Sequence, residues 1–205
     1  MAKKATVRKA DIPKRAIAAA LKLATERGWR RVSLHDIAER AGVTLGDLHG
    51  QFSSRDAILS AFVRGIDAQV LKSVDAEDAA ESPRHRLFAV IMKRFDALAP
   101  HKPAIAAIVG DCGGDMFTAA LSLCRLISSM TLMLEAAGIS SAGLRGALRT
   151  KGLAVIYCAT VRVWLSDDSA DMAKTMAALD RYLDCAERFQ TRRRGQAPRA
   201  GTATA

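Results

Sequence analysis

Five polar side chains that could contact nucleic acid lie close together in the N-terminal part of the chain. Ser33 and Thr44 each precede a short run with helical periodicity, where a hydroxyl can cap the helix and the free N–H groups of the first turn attract a phosphate. His49 and Gln51 can donate to a phosphate or a base edge, and Arg55 is placed as a phosphate clamp. These residue types favour nucleic-acid binding; the alternative is that the two hydroxyls are only helix caps.

The charge distribution also points to a polyanionic partner. The net charge is +10, divided as +6 over residues 1–60, −1 over 61–187 and +5 over 188–205. Lys3 and Lys4, near the start of the chain, can follow a DNA backbone or enter a minor groove. A near-neutral body between two basic ends predicts an N-terminal module that faces double-stranded DNA.

The elements that must position these residues are predicted to be helices. The 14 glycines and 5 prolines stand between long runs of apolar residues at helical spacing, which predicts an all-α fold. Behind a longer first helix, two short helices joined by a glycine-containing turn form a helix-turn-helix layout. The recognition helix is predicted over 44–52, where Leu45 and Gly46 form the first turn and Gly46 permits close backbone approach.

Composition and periodicity divide the chain into four parts. They are a basic arm (1–11), a three-helix helix-turn-helix domain (12–60), a helical ligand-binding and dimerisation bundle (61–189) and a disordered Arg-rich tail (190–205). Helices are predicted over 13–28, 34–40, 44–52, 55–70, 87–98, 104–112, 116–137, 144–165 and 170–189. Because no apolar stretch reaches membrane-spanning length and no secretory signal is evident, we expect a cytoplasmic protein without a membrane span.

The predicted bundle has an interior suited to a small apolar or amphipathic ligand. Methionine and aromatic side chains adapt to irregular guests, although the same residues would also pack an ordinary core. The candidates are Phe88, Met92, Phe95, Phe117, Leu121, Arg125, Met133, Tyr157, Val161 and Trp164. Arg125 and Arg162 stand inside apolar helices, where a buried guanidinium needs a carboxylate or an anionic guest unless its long chain reaches the surface.

Residue patterns for other chemistry are scarce. The chain contains no GxSxG, HExxH, P-loop or GxGxxG motif, so neither an enzyme nor a cofactor is predicted. Cys112, Cys124, Cys158 and Cys185 form no CxxC pair and lie in apolar runs, which predicts small buried side chains in a reducing compartment. Asp167 stands at a helix end, where a capping role suits it better than catalysis.

The last two predicted helices carry apolar stripes that one two-layer bundle covers only in part. The stripes consist of Leu153, Ile156, Thr160, Val163 and Trp164, and of Met172, Met176, Leu179 and Leu183. A four-helix interface between two copies would cover the remainder, which predicts a homodimer through these helices.

Residues 15–62 resemble the N-terminal domain of TetR/AcrR-family transcriptional regulators. The resemblance is carried by the run over 32–44, VSLHDIAERAGVT, and by the run over 45–59, LGDLHGQFSSRDAIL. It implies an all-helical, usually homodimeric protein whose C-terminal domain often encloses an apolar ligand. The chain departs from the family pattern at His49, where Tyr is usual, and at Asp47, where a small neutral residue is common.

The C-terminal half is similar to the ubiquinone-biosynthesis accessory proteins that share this fold. The similar runs are RHRLFAVIMKRFDAL over 84–98, WLSDDS over 164–169 and TMAALD over 175–180. This second resemblance implies a lipid or isoprenoid ligand and an enzyme partner. Two hypotheses follow: a ligand-responsive repressor that binds a palindromic operator as a homodimer, and a lipid-binding accessory protein with a vestigial helix-turn-helix.

Overall fold

Helices account for all regular secondary structure in residues 8–74, 81–111 and 116–195, which the computed structural model describes; for 116–122 and 189–195 it describes the backbone alone. The α-helices are α1 (Ile12–Arg27), α2 (Leu34–Ala41), α3 (Leu45–His49), α4 (Arg55–Lys72), α5 (Pro83–Leu98), α6 (Lys102–Asp111), α7 (Met116–Ala136), α8 (Gly143–Leu165) and α9 (Ala173–Gly195). Short 3-10 turns lie at Lys9–Asp11, Trp29–Arg31 and Ala99–His101. The predicted all-α fold class is therefore confirmed.

The N-terminal domain is built from α1, α2, α3 and the start of α4 around its own apolar core. Ile37, Leu48 and Ile58, one from each of the last three helices, are completely buried in it. A capping box begins α2, because Ser33 Oγ accepts from the Asp36 amide at 3.1 Å while the Asp36 carboxylate accepts from the Ser33 amide at 2.9 Å. Local capping thus fixes where the first short helix begins.

The turn between α2 and α3 requires a glycine at position 42. Gly42 has φ +69°, a left-handed conformation that ends α2, and its N–H bonds back to the last turn of the helix. A Cβ at this position would meet only the end of the flexible Arg15 side chain, so the left-handed backbone is what favours glycine here. The turn delivers the chain to Thr44, whose side chain caps α3.

The C-terminal domain is a bundle in which α4, α5, α7, α8 and α9 share a second core. Phe95, Met133 and Leu179 are fully buried there, and Trp164 is nearly so. Helix α4 belongs to both domains: its first turns pack in the N-terminal core, and Phe62, further along, packs in the second core. One continuous helix therefore joins the two cores.

The last helix differs from its predicted bounds at both ends. It begins at Ala173 instead of 170, because Ser169 Oγ accepts from the Ala173 amide at 3.1 Å and the Asp167 carboxylate accepts from the Ser169 and Thr175 amides. Asp167 therefore caps the helix, as predicted. The helix then continues to Gly195, into the segment predicted to be disordered, because cations are favourable near a helix C-terminus. Residues 196–205 lie outside the described part of the chain.

The apolar stripes predicted for dimerisation pack mainly inside the chain. Leu153, Thr160, Trp164, Leu179 and Leu183 are all buried within the bundle. The face of α8 that remains open is a different one, formed by Leu144, Leu148 and Val155, which are 89%, 63% and 71% exposed. The periodicity identified apolar faces correctly but could not show which of them the chain's own bundle covers.

The prediction of buried cysteines is wrong for the three that the structure describes. Cys124, Cys158 and Cys185 are exposed, and Cys112 lies outside the described residues. In a long helix with apolar residues on more than one face, sequence does not show which face is turned to solvent. Within the described ranges, no helix combines the length and apolar character that a membrane crossing needs.

Candidate nucleic-acid interface and ligand site

The short helix α3 is held by one side chain and presents the others to solvent. Leu48 is completely buried in the N-terminal core. Leu45 is 46% exposed, and Gly46, His49 and Gln51 are exposed as well. The predicted recognition residues therefore lie at the surface of the domain, where a DNA groove could reach them.

The two hydroxyls proposed to contact phosphate are both engaged in helix capping. Thr44 Oγ1 accepts from the Asp47 amide at 3.0 Å and donates to Asp47 Oδ2 at 2.7 Å. Ser33 Oγ donates to Asp36 Oδ2 at 2.5 Å, and this bond together with that of the Ser33 amide lowers the pKa of Asp36. Each short helix thus has a carboxylate at its N-terminus, so a phosphate approaching there would meet a negative charge.

Arg55, the proposed phosphate clamp, ties α4 to the turn that precedes α2. Its Nη1 donates to the backbone oxygens of Trp29, Arg30 and Val32 at 3.1, 3.3 and 2.9 Å. The guanidinium also lies 5.4 Å from the centroid of the Trp29 ring. The side chain is half-buried, so its structural role is established by these contacts, and phosphate contact stays a prediction.

Two basic side chains that the sequence pattern did not indicate lie beside the same turn. Arg31 is exposed two residues before Ser33, and His35 is exposed in the first turn of α2. An arginine two residues before a helix cap was a signal available in the sequence. Lys3 and Lys4, the proposed DNA-contacting lysines of the arm, lie outside the described residues.

A second link between the domains runs through the end of α6. The Arg30 amide donates to Asp111 Oδ2 at 3.1 Å, and Arg30 Nε donates to the Asp111 backbone oxygen at 3.0 Å. Gly28, with φ +79°, gives this carboxylate room, because a Cβ there would lie 2.9 Å from Asp111 Oδ2. The turn after α1 is thus fastened both to α4 and to α6.

Several predicted ligand-binding residues do meet in the C-terminal core. The Phe95 ring stacks on Tyr157 with centroids 5.4 Å apart and lies 5.5 Å from the Trp164 ring. Phe88, Met92 and Val161 are partly buried against the same core. Met133 is buried and Arg125 is half-buried; the side chains of Phe117 and Leu121 lie outside the described part.

The buried arginine in this core is one that the sequence analysis missed. Arg94 on α5 and Asp67 on α4 are each 4% exposed, and Arg94 Nη1 donates to Asp67 Oδ1 at 2.5 Å. Ser129 Oγ on α7 donates to the same carboxylate oxygen at 2.8 Å, and the guanidinium lies 5.2 Å from the Tyr157 ring centroid. Burial raises the pKa of Tyr157. We call these four residues the polar cluster.

The signal for this pair was present but masked by its neighbours. Arg94 lies in the charged run KRFD, residues 93–96, a pattern typical of a solvent-exposed helix face. It nevertheless shares a helix face with the buried residues Val90, Ile91 and Leu98. Arg162, which the sequence analysis expected to need a partner if buried, is exposed. Within the described residues, no group of three or more His, Cys, Asp or Glu side chains is arranged to hold a metal ion.

Comparison with known families matches both halves of the chain. Residues 16–62 match the family model for bacterial regulatory proteins of the TetR family, and residues 120–190 match the COQ9 family model. The HTH-type transcriptional repressor KstR2 of Mycobacterium tuberculosis is 32% identical over 77 residues, which cover 37% of this chain and 38% of that protein. The match thus spans less than half the length of this relative.

Solved structures establish the fold over most of the chain. A TetR regulator from Nitrosomonas europaea superimposes with a TM-score of 0.70 and 24% identity, covering 86% of this chain and 98% of that one. FadR of Bacillus subtilis, crystallised with stearoyl-CoA, gives a TM-score of 0.55 and 20% identity, covering 83% and 97%. Residues 16–62 are therefore similar to the bacterial regulatory proteins of the TetR family, and the fold over most of the chain is the one seen in solved TetR regulators.

Proposed function

We propose that this protein is a ligand-responsive transcriptional repressor that binds a palindromic DNA operator as a homodimer. The observation that carries the proposal is α3, which is anchored by Leu48 and exposes Leu45, Gly46 and His49, with Gln51 exposed in the turn that follows, on a domain whose net charge is positive. A helix held at one point can lay its remaining side chains in a major groove. The similarity to the repressor KstR2 supports this proposal. A protein with this function would act in the cytoplasm, where bacterial DNA is found.

Basic residues outside α3 would supply much of the affinity in this proposal. Helix α3 itself contains Asp47 and no Lys or Arg, so its charge does not attract phosphate. Arg31 and the arm residues Lys3 and Lys4 would provide the non-specific contacts, and His49 and Gln51 would read base edges. Binding should therefore weaken strongly as salt rises.

The proposed dimer interface is the open face of α8. Leu144, Leu148 and Val155 project from it at helical spacing, with Gly152 between them leaving room for a neighbouring helix. Isolated exposed leucines are common, but three large apolar side chains along one helix face form a patch that a second copy would cover. In the dimer, the two α3 helices would have to lie about 34–36 Å apart to enter successive major grooves.

The ligand would act on DNA binding through α4. That helix begins at Arg55, which holds the turn at Trp29, and continues to Asp67 in the C-terminal core. A guest among Phe95, Tyr157 and Trp164 would shift α4 and alter the separation of the recognition helices, so ligand and DNA would compete through one coupling free energy. The stearoyl-CoA bound by FadR supports an apolar or amphipathic guest.

A mobility-shift titration with duplexes from the protein's own upstream DNA tests the proposal. We expect a complex of two chains per palindrome that weakens on substitution of Gln51→Ala but not of Gln69→Ala, an exposed glutamine on α4 that serves as the control. Absence of any sequence-preferring complex at low salt would contradict the proposal.

The second candidate function is that of a lipid- or isoprenoid-binding accessory protein. The observation that favours it is the COQ9 family match over residues 120–190, together with a recognition helix that lacks cations. Native mass spectrometry of the purified protein separates the two functions. A co-purified lipid without operator binding would support the accessory role, whereas tight operator binding by a chain free of lipid would support the repressor.

A further inference from the structure

The polar cluster is an unusual feature of an otherwise apolar core. Its four residues come from four different helices: Asp67 from α4, Arg94 from α5, Ser129 from α7 and Tyr157 from α8. Asp67, Arg94 and Ser129 are at most 4% exposed. A buried charge is tolerated where hydrogen-bonding partners compensate for its lost hydration. A donor in the polar cluster that lacks such a partner therefore calls for an explanation.

One donor of the cluster is not used by the protein. Arg94 Nη1 donates to Asp67, but Arg94 Nε is buried and has no hydrogen-bond partner in the part of the chain that the structure describes. A guanidinium can donate five hydrogen bonds and accepts none, so only an acceptor atom can satisfy this N–H. Phe95 has no acceptor atom, and although the Tyr157 hydroxyl hydrogen-bonds with the Arg94 guanidinium, Nε itself has no partner among the described residues.

The charge of the cluster limits what that acceptor can be. Asp67 already balances the charge of Arg94, so the pair is neutral overall. A carboxylate or phosphate entering beside Arg94 would be attracted by the guanidinium but repelled by the Asp67 carboxylate in surroundings of low polarity, and would lose its own hydration. An uncharged oxygen would accept from Nε without either cost.

We propose that Arg94 Nε donates to the carbonyl oxygen of an uncharged, otherwise apolar ligand, which occupies the core beside Phe95 and Tyr157. This inference rests on the proposed function and specifies the chemical class of its ligand: a ketone-like molecule and not a free fatty acid. Phe88 and Met92, which are only partly buried on α5, would contact the apolar part, and the flexible Met92 side chain can rearrange around it.

The selectivity can be measured by isothermal titration calorimetry with two probes of equal chain length, 2-decanone and decanoate, at pH 7.5. We expect 2-decanone to bind the wild type at least tenfold more tightly than decanoate. Arg94→Lys keeps a cation beside Asp67 but removes the Nε donor, and should weaken 2-decanone binding about tenfold, as expected for one hydrogen bond to a charged group. Arg64→Lys, an exposed position on α4, is the matched control and should bind like the wild type.

A second variant reverses the expected preference. Asp67→Asn retains an oxygen acceptor for Arg94 and removes the negative charge, so decanoate should bind this variant more tightly than it binds the wild type. Circular dichroism confirms that each variant is folded. Equal or tighter binding of decanoate by the wild type, or unchanged 2-decanone binding by Arg94→Lys, would overturn the inference.

A DNA-binding measurement on the same protein separates this inference from the proposed function. If the protein binds its operator but binds neither probe, the ligand class is wrong and the repressor proposal stands. If it binds 2-decanone in the expected way but no operator DNA, the ligand class is right and the repressor proposal fails.

Discussion

Replacing Arg55 by alanine should destabilise the folded protein by about 2.5–3 kcal/mol. The two N–H groups of Nη1 can fully satisfy about two of the three backbone oxygens around it, each bond contributing about 1 kcal/mol net. Loss of the guanidinium from above the Trp29 ring, 5.4 Å from its centroid, adds about 0.5–1 kcal/mol. For a chain of this size, the midpoint of thermal unfolding should fall by about 5–10 °C.

The assay is urea-induced unfolding followed by circular dichroism, at one fixed protein concentration because the proposed dimerisation would contribute to apparent stability. Arg64→Ala is the matched control, since Arg64 is exposed on the same helix and its loss should change the free energy of unfolding by less than about 0.5 kcal/mol. DNA affinity measured at 15 °C, where each variant is folded, then reports separately on phosphate contact. Equal stability of Arg55→Ala and the control would refute the structural role derived from the three carbonyl contacts.

Three further predictions concern the backbone, pH and assembly. Gly42→Ala should destabilise by about 1–2 kcal/mol because of its left-handed backbone, whereas Gly65→Ala, helical and with open space around it, should stabilise by about 0.5–1 kcal/mol, as measured by urea unfolding. Hydrogen bonds from serine and threonine hold the pKa of Asp167 far below its ordinary value, so its stabilisation is present at neutral pH and is lost as pH falls below about 4. The stability difference between wild type and Asp167→Asn should therefore be largest near pH 7 and shrink towards pH 2; a constant difference would contradict this assignment. Leu148→Glu should convert dimer to monomer in analytical ultracentrifugation while Leu71→Glu, exposed on α4, leaves the dimer intact; a dimeric Leu148→Glu would place the interface elsewhere.

Features that depend on neighbouring residues could be predicted from the sequence. The caps at Ser33 and Thr44 and the left-handed turn at Gly42 are local, and they place the short helices of the N-terminal domain within a few residues. The exposure of His49 follows from the same spacing, because one buried leucine, Leu48, fixes which side of α3 faces the core.

Features that depend on distant contacts could not be predicted in this way. The partner of Arg94 lies 27 residues away on another helix, so no local pattern identifies the pair. Likewise, the three carbonyls that bind Arg55 come from a turn 23–26 residues earlier. The open face of α8 was missed for a related reason: which apolar stripe is covered depends on how α9 packs, and both stripes have the same period.

The most direct test of the account is a footprint of the protein on its upstream DNA, combined with the mass of the complex in solution. We expect two protected half-sites whose centres lie about 10 base pairs apart, one helical turn, bound by two chains and lost on Gln51→Ala. Protection of a single half-site by one chain, or binding that is equally strong on any duplex and unchanged by Gln51→Ala, would contradict it.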